Sequence, residues 1–255
     1  MDSVRIERDG EVFLVVMTRP ERHNAVDGPM AAELADAFGS FAESDAAVAV
    51  LAGDGPSFCA GADLKAVGTD RGNSLDPAGD GPMGPTRMKL DKTVIAAING
   101  NAVAGGLELA LWCDLRVVDE DATLGVYCRR WGVPLIDGGT VRLPRLIGHS
   151  RAMDLILTGR PVDAAEALDF GLVNRVVPSG TCRTAAVALA HDIARMPQVC
   201  LRGDRRSARE QWGDDETTAM AREFTIGLTS LQENGVTGAG RFAAGKGRGG
   251  SFDDI

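Results

Sequence analysis

Two short apolar runs open the chain, Val4 to Arg8 and Val12 to Thr18, and Asp9-Gly10 between them supplies the turn of a hairpin. Over Met30 to Ala42 the spacing changes, and Met30, Leu34, Ala37, Phe38 and Phe41 fall on one face of an amphipathic helix. The run AVAVLAG (47–53) predicts a strand, followed by the loop DGPSFCAG and a short helix from Ala62. The same order returns in VIAAI (94–98), the loop NGNAVAG and a helix from about Gly106, before DLRVV (114–118) predicts a further strand. Repeated strand, loop and helix turns predict an α/β fold whose loops gather on one side. Between the two repeats, GTDRGNSLDPAGDGPMGPT (68–86) carries too much Gly and Pro for regular structure and reads as a lid or binding loop. Beyond Gly138 helical patterns dominate and only LVNRVV resembles a strand. Arg202, Arg205, Arg206 and Arg209 in that half read as a solvated helix face.

Within AVAGGLELALWCDLRVV (102–118), Glu108 is the only charge between Lys92 and Asp114. A carboxylate buried in such a run costs several kcal/mol unless it is paired, hydrogen-bonded or neutralised, on the order of what real proteins show. Glu108 is therefore either a rim residue that meets a cation or a functional group.

Composition narrows the classes. Hydrophobic residues make up 44% and charged ones 25% of the 255 residues, which is globular usage with enough chain for a sizeable core. The net charge of −9 argues against nucleic-acid binding, so an anionic ligand needs a local site. The N-terminus lacks a basic segment followed by an apolar one, which predicts a cytoplasmic protein. The run 94–113 is broken by Asn99, Gly100, Asn101, Gly105, Gly106 and Glu108, which argues against a membrane span. Five cysteines without C-x-x-C spacing predict free thiols, with no disulfide framework and no metal site. Pairing Cys59 or Cys128 with His23, His149 or His191 as a thiol hydrolase has no activating geometry in the sequence, and H-E-x-x-H, P-loop and dinucleotide motifs are missing from it.

The segments CAGADLK (59–65) and VAGGLEL (103–109) each place Gly before a predicted helix start, where backbone N–H groups lack partners. Two such donors converging on one carbonyl would form an oxyanion hole. Together with AAINGNAVAGGLELALWCDLRVVDEDATLGV, GVPLIDGGTVRLPRLIG and LTGRPVDAAEALDFGLVNRVV, these segments closely resemble the crotonase superfamily, the enoyl-CoA hydratase/isomerase family, from TRPERHNAV to GAGRFAAGKGR.

The resemblance implies a crotonase-like α/β spiral of strand-strand-helix turns over residues 1–197, holding the acyl-CoA site, and a helical region over 198–255 that builds trimers, or hexamers of two trimers. It implies an enzyme whose substrate is an acyl-CoA thioester, without a further cofactor, with Ala62 and Gly105 as the oxyanion-hole amides. Coenzyme A is then expected along Arg22, His23, Ala25, Ala60, Asp63 and Leu64, with Phe242 and Lys246 of a neighbouring subunit at its nucleotide end. The loop from Gly68 and a helix from about Pro82 to Leu90 match the family's variable wall of the acyl pocket. Glu108 matches the first of the two hydratase glutamates, whereas the second falls on Cys128, a poor substitute for a carboxylate. Asp137 resembles the aspartate of dienoyl-CoA isomerases, and it also reads as an N-cap for a helix starting at Gly138. Arg129 and Arg130 could neutralise a carboxylate. The departure at Cys128 leaves two readings: a hydratase or isomerase acting through Glu108 and Asp137, or a non-catalytic acyl-CoA-binding or assembly protein on the same fold.

Overall fold

A computed structural model describes residues 2–252. The chain forms two compact units, Met1–His191 and Asp192–Ile255. In the first, β1 (Val4–Asp9) and β2 (Val12–Met17) form the antiparallel hairpin, and α1 (Gly28–Glu43) follows, capped by Asp27, whose side chain accepts from the Met30 N–H at 3.1 Å. Then come β3 (Val48–Gly53), β4 (Thr93–Ile98), β5 (Asn101–Val103), α2 (Gly105–Trp112), β6 (Leu115–Asp119) and β7 (Thr123–Gly125). Next are α3 (Gly139–Ile147), α4 (His149–Thr158), β8 (Pro161–Asp163), α5 (Ala164–Asp169), β9 (Arg175–Val177) and α6 (Cys182–Ala194), which runs into the second unit.

The main sheet has the order β1-β2-β3-β4-β6-β9, parallel beyond the first hairpin, and β5-β7-β8 form a smaller sheet. Every residue of β2, β3 and β4 is buried, which explains why these strands read as continuous apolar runs with little alternation. The predicted face of α1 is the buried one, and Phe38 meets Trp112 of α2 edge-on at 4.8 Å. All eight residues of α2 are buried, Glu108 among them.

Four local expectations change, and one is a second strand beyond Gly138, β8, which pairs with β7. No helix starts at Ala62: Val26 N–H donates to the Gly61 carbonyl and Asp63 N–H to that of Val26, so residues 61–63 lie extended against Val26. The helix expected from Pro82 to Leu90 reduces to a single 3-10 turn, Pro85–Arg87, entered through Gly84 at φ +94°. The loop NGNAVAG contains β5, which its parallel pairing with β7 defines.

In the second unit, α7 (Gln198–Glu210) and α8 (Glu216–Ser230) lead through a π-helical turn, Leu231–Gly235, into α9 (Val236–Ala243), which takes in the start of the Gly-rich tail. Arg206 and Arg209 lie exposed on α7, whereas Arg202 is half-buried with a buried Nε, so that helix face is only partly solvated. Among the described residues no helix is long and apolar enough to cross a membrane.

Candidate active site

The two glycine turns meet. Cys59 N–H donates to the Asn101 carbonyl at 2.9 Å, and Val103 N–H returns to the Cys59 carbonyl at 3.1 Å, so residues 59–62 run beside β5 and the start of α2. Gly61 sits at φ +98°, and a Cβ there would fall 2.9 Å from the Ala104 Cβ and 3.0 Å from the Gly105 nitrogen; only glycine permits this approach. Ala104 itself has φ +54° and ψ −125°, an uncommon conformation for a residue with a side chain, where the chain swings from β5 into α2. Ala62 and Gly105 both line a cavity of about 590 Å³, and neither N–H donates a hydrogen bond among the described residues.

Glu108 lines the same cavity one turn into α2 and is only 2% exposed. Its Oε1 accepts from Asp137 N–H at 2.9 Å and Gly139 N–H at 2.7 Å. A Cβ on Gly139 would sit 2.8 Å from that oxygen, so the second bond requires glycine. Oε2 accepts no hydrogen bond from the described residues. Burial pushes the carboxyl up to about 7 from an ordinary 4.5, with the Asp137 charge adding to the rise and the two N–H donors and the Arg142 charge opposing it.

That shift fixes a stability effect and its sign. Folded Glu108 holds its proton up to about 7 while the unfolded group loses it near 4.5, so the folded state binds more protons in this window and stability falls as pH rises through it. Glu108→Gln is therefore expected to be more stable than the parent above neutral pH, by on the order of 2–3 kcal/mol. The gap should close as pH falls toward 4.5. Urea unfolding across this range reads it; a gap independent of pH would mean that the charge of Glu108 is not its source.

Asp137 also lines the cavity, 3% exposed, and it is not a cap: Gly138 precedes α3, and no side chain caps that helix. Its Oδ1 instead accepts from Met83 N–H at 3.0 Å and from the Thr86 hydroxyl. Arg142 ties the two segments together, donating to the Asp137 carbonyl at 2.8 Å and to the Thr86 carbonyl at 2.6 Å. Arg142 is thus the cation nearest this chemistry, whereas Arg129 donates to the Ile156 carbonyl at 2.9 Å and Arg130 lies over the Tyr127 ring. Sequence patterns missed Met83, Thr86 and Arg142 because their contacts join segments more than fifty residues apart.

Cys128 lines the cavity, 6% exposed, and burial followed by the charge of Glu108 raises its thiol pKa. Burial pushes the Cys59 thiol up to about 12, and its Sγ donates to the Asn24 carbonyl, so neither thiol is an activated nucleophile.

The segments expected to carry coenzyme A lie side by side: Ala60 N–H donates to the His23 carbonyl at 2.9 Å, and Val26 N–H to that of Gly61 at 2.8 Å. Ala60 and Leu64 line the cavity, Arg22 and His23 are exposed beside it in sequence, and Ala25 is half-buried. Asp63 does not line the cavity; it is 8% exposed and pairs with Arg19 at 3.1 Å. Phe242 and Lys246 are exposed in the second unit, where Phe242 carries the Arg248 guanidinium at 5.3 Å. The Gly68–Gly84 loop forms part of the cavity wall and is pinned by Arg71, whose Nε donates to the buried Asp27 at 3.0 Å.

Residues 7–239 match the family model described as enoyl-CoA hydratase/isomerase. The chain is 36% identical over 251 residues to the enoyl-CoA hydratase EchA19 of Mycobacterium tuberculosis, covering 93% of this chain and 92% of that protein. It is 35% identical over 203 residues to the carnitinyl-CoA dehydratase of Salmonella enteritidis, covering 78% and 77%. Its fold superposes on the crystal structure of the enoyl-CoA hydratase EchA1 of Mycobacterium marinum with a TM-score of 0.90, at 32% identity and 96% coverage of both chains.

Proposed function

The chain belongs to the enoyl-CoA hydratase/isomerase family, and from that premise we propose that it binds an enoyl-CoA thioester with the acyl group in the 590 Å³ cavity and passes its reaction through an enolate. The observation that carries this reading is the pair of N–H groups, Ala62 and Gly105, that have no partner among the described residues and line one cavity with a carboxyl whose pKa burial raises to about 7. The thioester oxygen gains charge as a nucleophile adds to the β-carbon or a proton leaves, and two fixed donors stabilise that charge. Glu108 moves the proton: as carboxylate it takes one from water or from carbon, and as acid it returns one to the enolate. Asp137 is the second proton carrier in this scheme, and the chemistry asks for no cofactor beyond the coenzyme A of the substrate.

Hydration and double-bond migration share that enolate. The thiol of Cys128 favours migration because it grips a water poorly, and moving a proton from one carbon to another is a task for one or two carboxylates, which Glu108 and the buried Asp137 supply. The non-catalytic alternative has less support, since both carboxylates line the cavity. Incubating the protein with 2-enoyl-CoA and dienoyl-CoA thioesters, and following the conjugated chromophore and the products by mass, tests the reading; no turnover of any member would reject it. Cys128→Glu is expected to raise hydration of a short 2-enoyl-CoA severalfold, read by the same assay. No increase in a folded variant would mean that Asp137 or the pocket shape sets the reaction.

In this proposal the protein works in the cytoplasm as a trimer or a hexamer of two trimers, with Phe242 and Lys246 of a neighbouring subunit at the nucleotide end of coenzyme A. An exposed apolar row on and after α8, Met220, Phe224, Leu228 and Leu231, supports self-association.

A further inference from the structure

Three charged residues line the cavity, and they differ in kind. Glu108 and Asp137 are buried acids at the proposed chemistry, whereas Arg130 is exposed and is the one cation of the lining. Its guanidinium lies 4.1 Å from the centroid of the Tyr127 ring and makes no hydrogen bond or ion pair with the described residues. Its neighbour Arg129 is already engaged, holding the Ile156 carbonyl of α4. Tyr127 is itself fixed, because its ring packs where Gly125 has no side chain; a Cβ there would lie 2.6 Å from the ring edge. The same cavity is lined by the apolar side chains of Val67, Leu75, Trp131, Val133 and Ile136.

Stacking on an aromatic face uses the flat side of a guanidinium and leaves its N–H edge for a planar, bidentate acceptor. Carboxylates match that edge, and a charge-assisted pair beside apolar walls is among the stronger polar contacts. The chain as a whole carries −9, so a ligand carboxylate would be repelled without a cation placed for it.

Resting on the acyl-CoA reading above, we infer that the preferred acyl group ends in a carboxylate, held by Arg130 across an apolar chain that fills the cavity. Arg130 is then a specificity contact that takes no part in the proton transfer. The enoyl end meets Ala62, Gly105 and Glu108, and the far end meets the guanidinium on Tyr127.

The test is a set of matched 2-enoyl-CoA pairs, equal in chain length, one member ending in methyl and the other in carboxylate. At one or more lengths the native enzyme should favour the carboxylate member in kcat/KM by about tenfold or more, the scale of one hydrogen-bonded charge pair. Arg130→Met should bring that ratio close to unity, chiefly through KM, and Arg130→Glu should favour an amine-terminated member instead. A native preference for methyl at every length overturns the inference. Equal losses on both members in Arg130→Met also overturn it and assign the guanidinium to a coenzyme A phosphate. Both outcomes leave the acyl-CoA reading standing. Failure of the native enzyme to turn over any pair overturns that reading and this inference with it.

Discussion

Glu108→Gln is expected to lower kcat by about 10²- to 10⁴-fold, the contribution of a positioned general acid/base. The substitution is nearly isosteric, and the Gln carbonyl oxygen can keep both N–H donors that Oε1 now holds, from Asp137 and Gly139. What it removes is a group that exchanges protons near pH 7. Binding of a saturated acyl-CoA should therefore change little, and the loss should lie in kcat, with KM nearly constant. Steady-state kinetics with calorimetric binding reads both parts. Unchanged kcat with lost stability would make Glu108 a structural residue, and a large loss of binding would place it among the ligand contacts.

Ala62→Pro is expected to cost about 10²- to 10³-fold in kcat, as removal of one oxyanion donor does. Proline deletes the N–H proposed to hold the thioester oxygen. The hydrogen bonds that keep this segment extended use the Gly61 carbonyl and the Asp63 N–H, so the bridge to Val26 survives the change. The residue before the proline is Gly61, the residue type most tolerant of the restriction that proline imposes. Thermal unfolding should therefore show a folded protein. A folded variant with native kcat would remove Ala62 from the mechanism. If the variant does not fold, the carbonyl stretch of a thioester bound to the native protein supplies the same information, since an engaged oxyanion hole shifts it to lower frequency.

Much of this site is legible in the sequence. Glu108 stood out because an ionisable group in an apolar run is costly, and a shift up to about 7 is the expected response to that cost. The long Gly- and Pro-rich segment read as a wall or lid and contributes to the cavity. The strands were legible because burial on both faces leaves them continuously apolar.

What the pattern misjudged was pairing at a distance. Ala62 looked like a helix start, because Gly followed by Ala, Asp and Leu fits one locally, but hydrogen bonds with Val26, more than thirty residues earlier, hold it extended. Its N–H is unpartnered for a different reason than that of Gly105, which heads a true helix. Asp137 reads equally as a cap on a helix starting at Gly138 and as a catalytic carboxylate, but the helix starts at Gly139 and Gly138 takes the cap position. The Asp137 carboxylate instead holds Met83 and Thr86, whose arrival at that point no local rule could indicate. Arg142 escaped notice because charged residues on a helix are ordinary, and its role comes only from the two carbonyls it joins.

The most direct test of the central claim is exchange of the α-protons of a saturated acyl-CoA in deuterated water, followed by mass spectrometry. Such a thioester can neither be hydrated nor isomerised, so exchange reports only whether the site forms the enolate, with the Ala62 and Gly105 amides on the oxygen and Glu108 as base. The account predicts exchange by the native enzyme, rising with pH through about 7 as Glu108 ionises, and exchange reduced at least about 10²-fold in Glu108→Gln and in Ala62→Pro. Exchange at the native rate in a folded Glu108→Gln protein would contradict it.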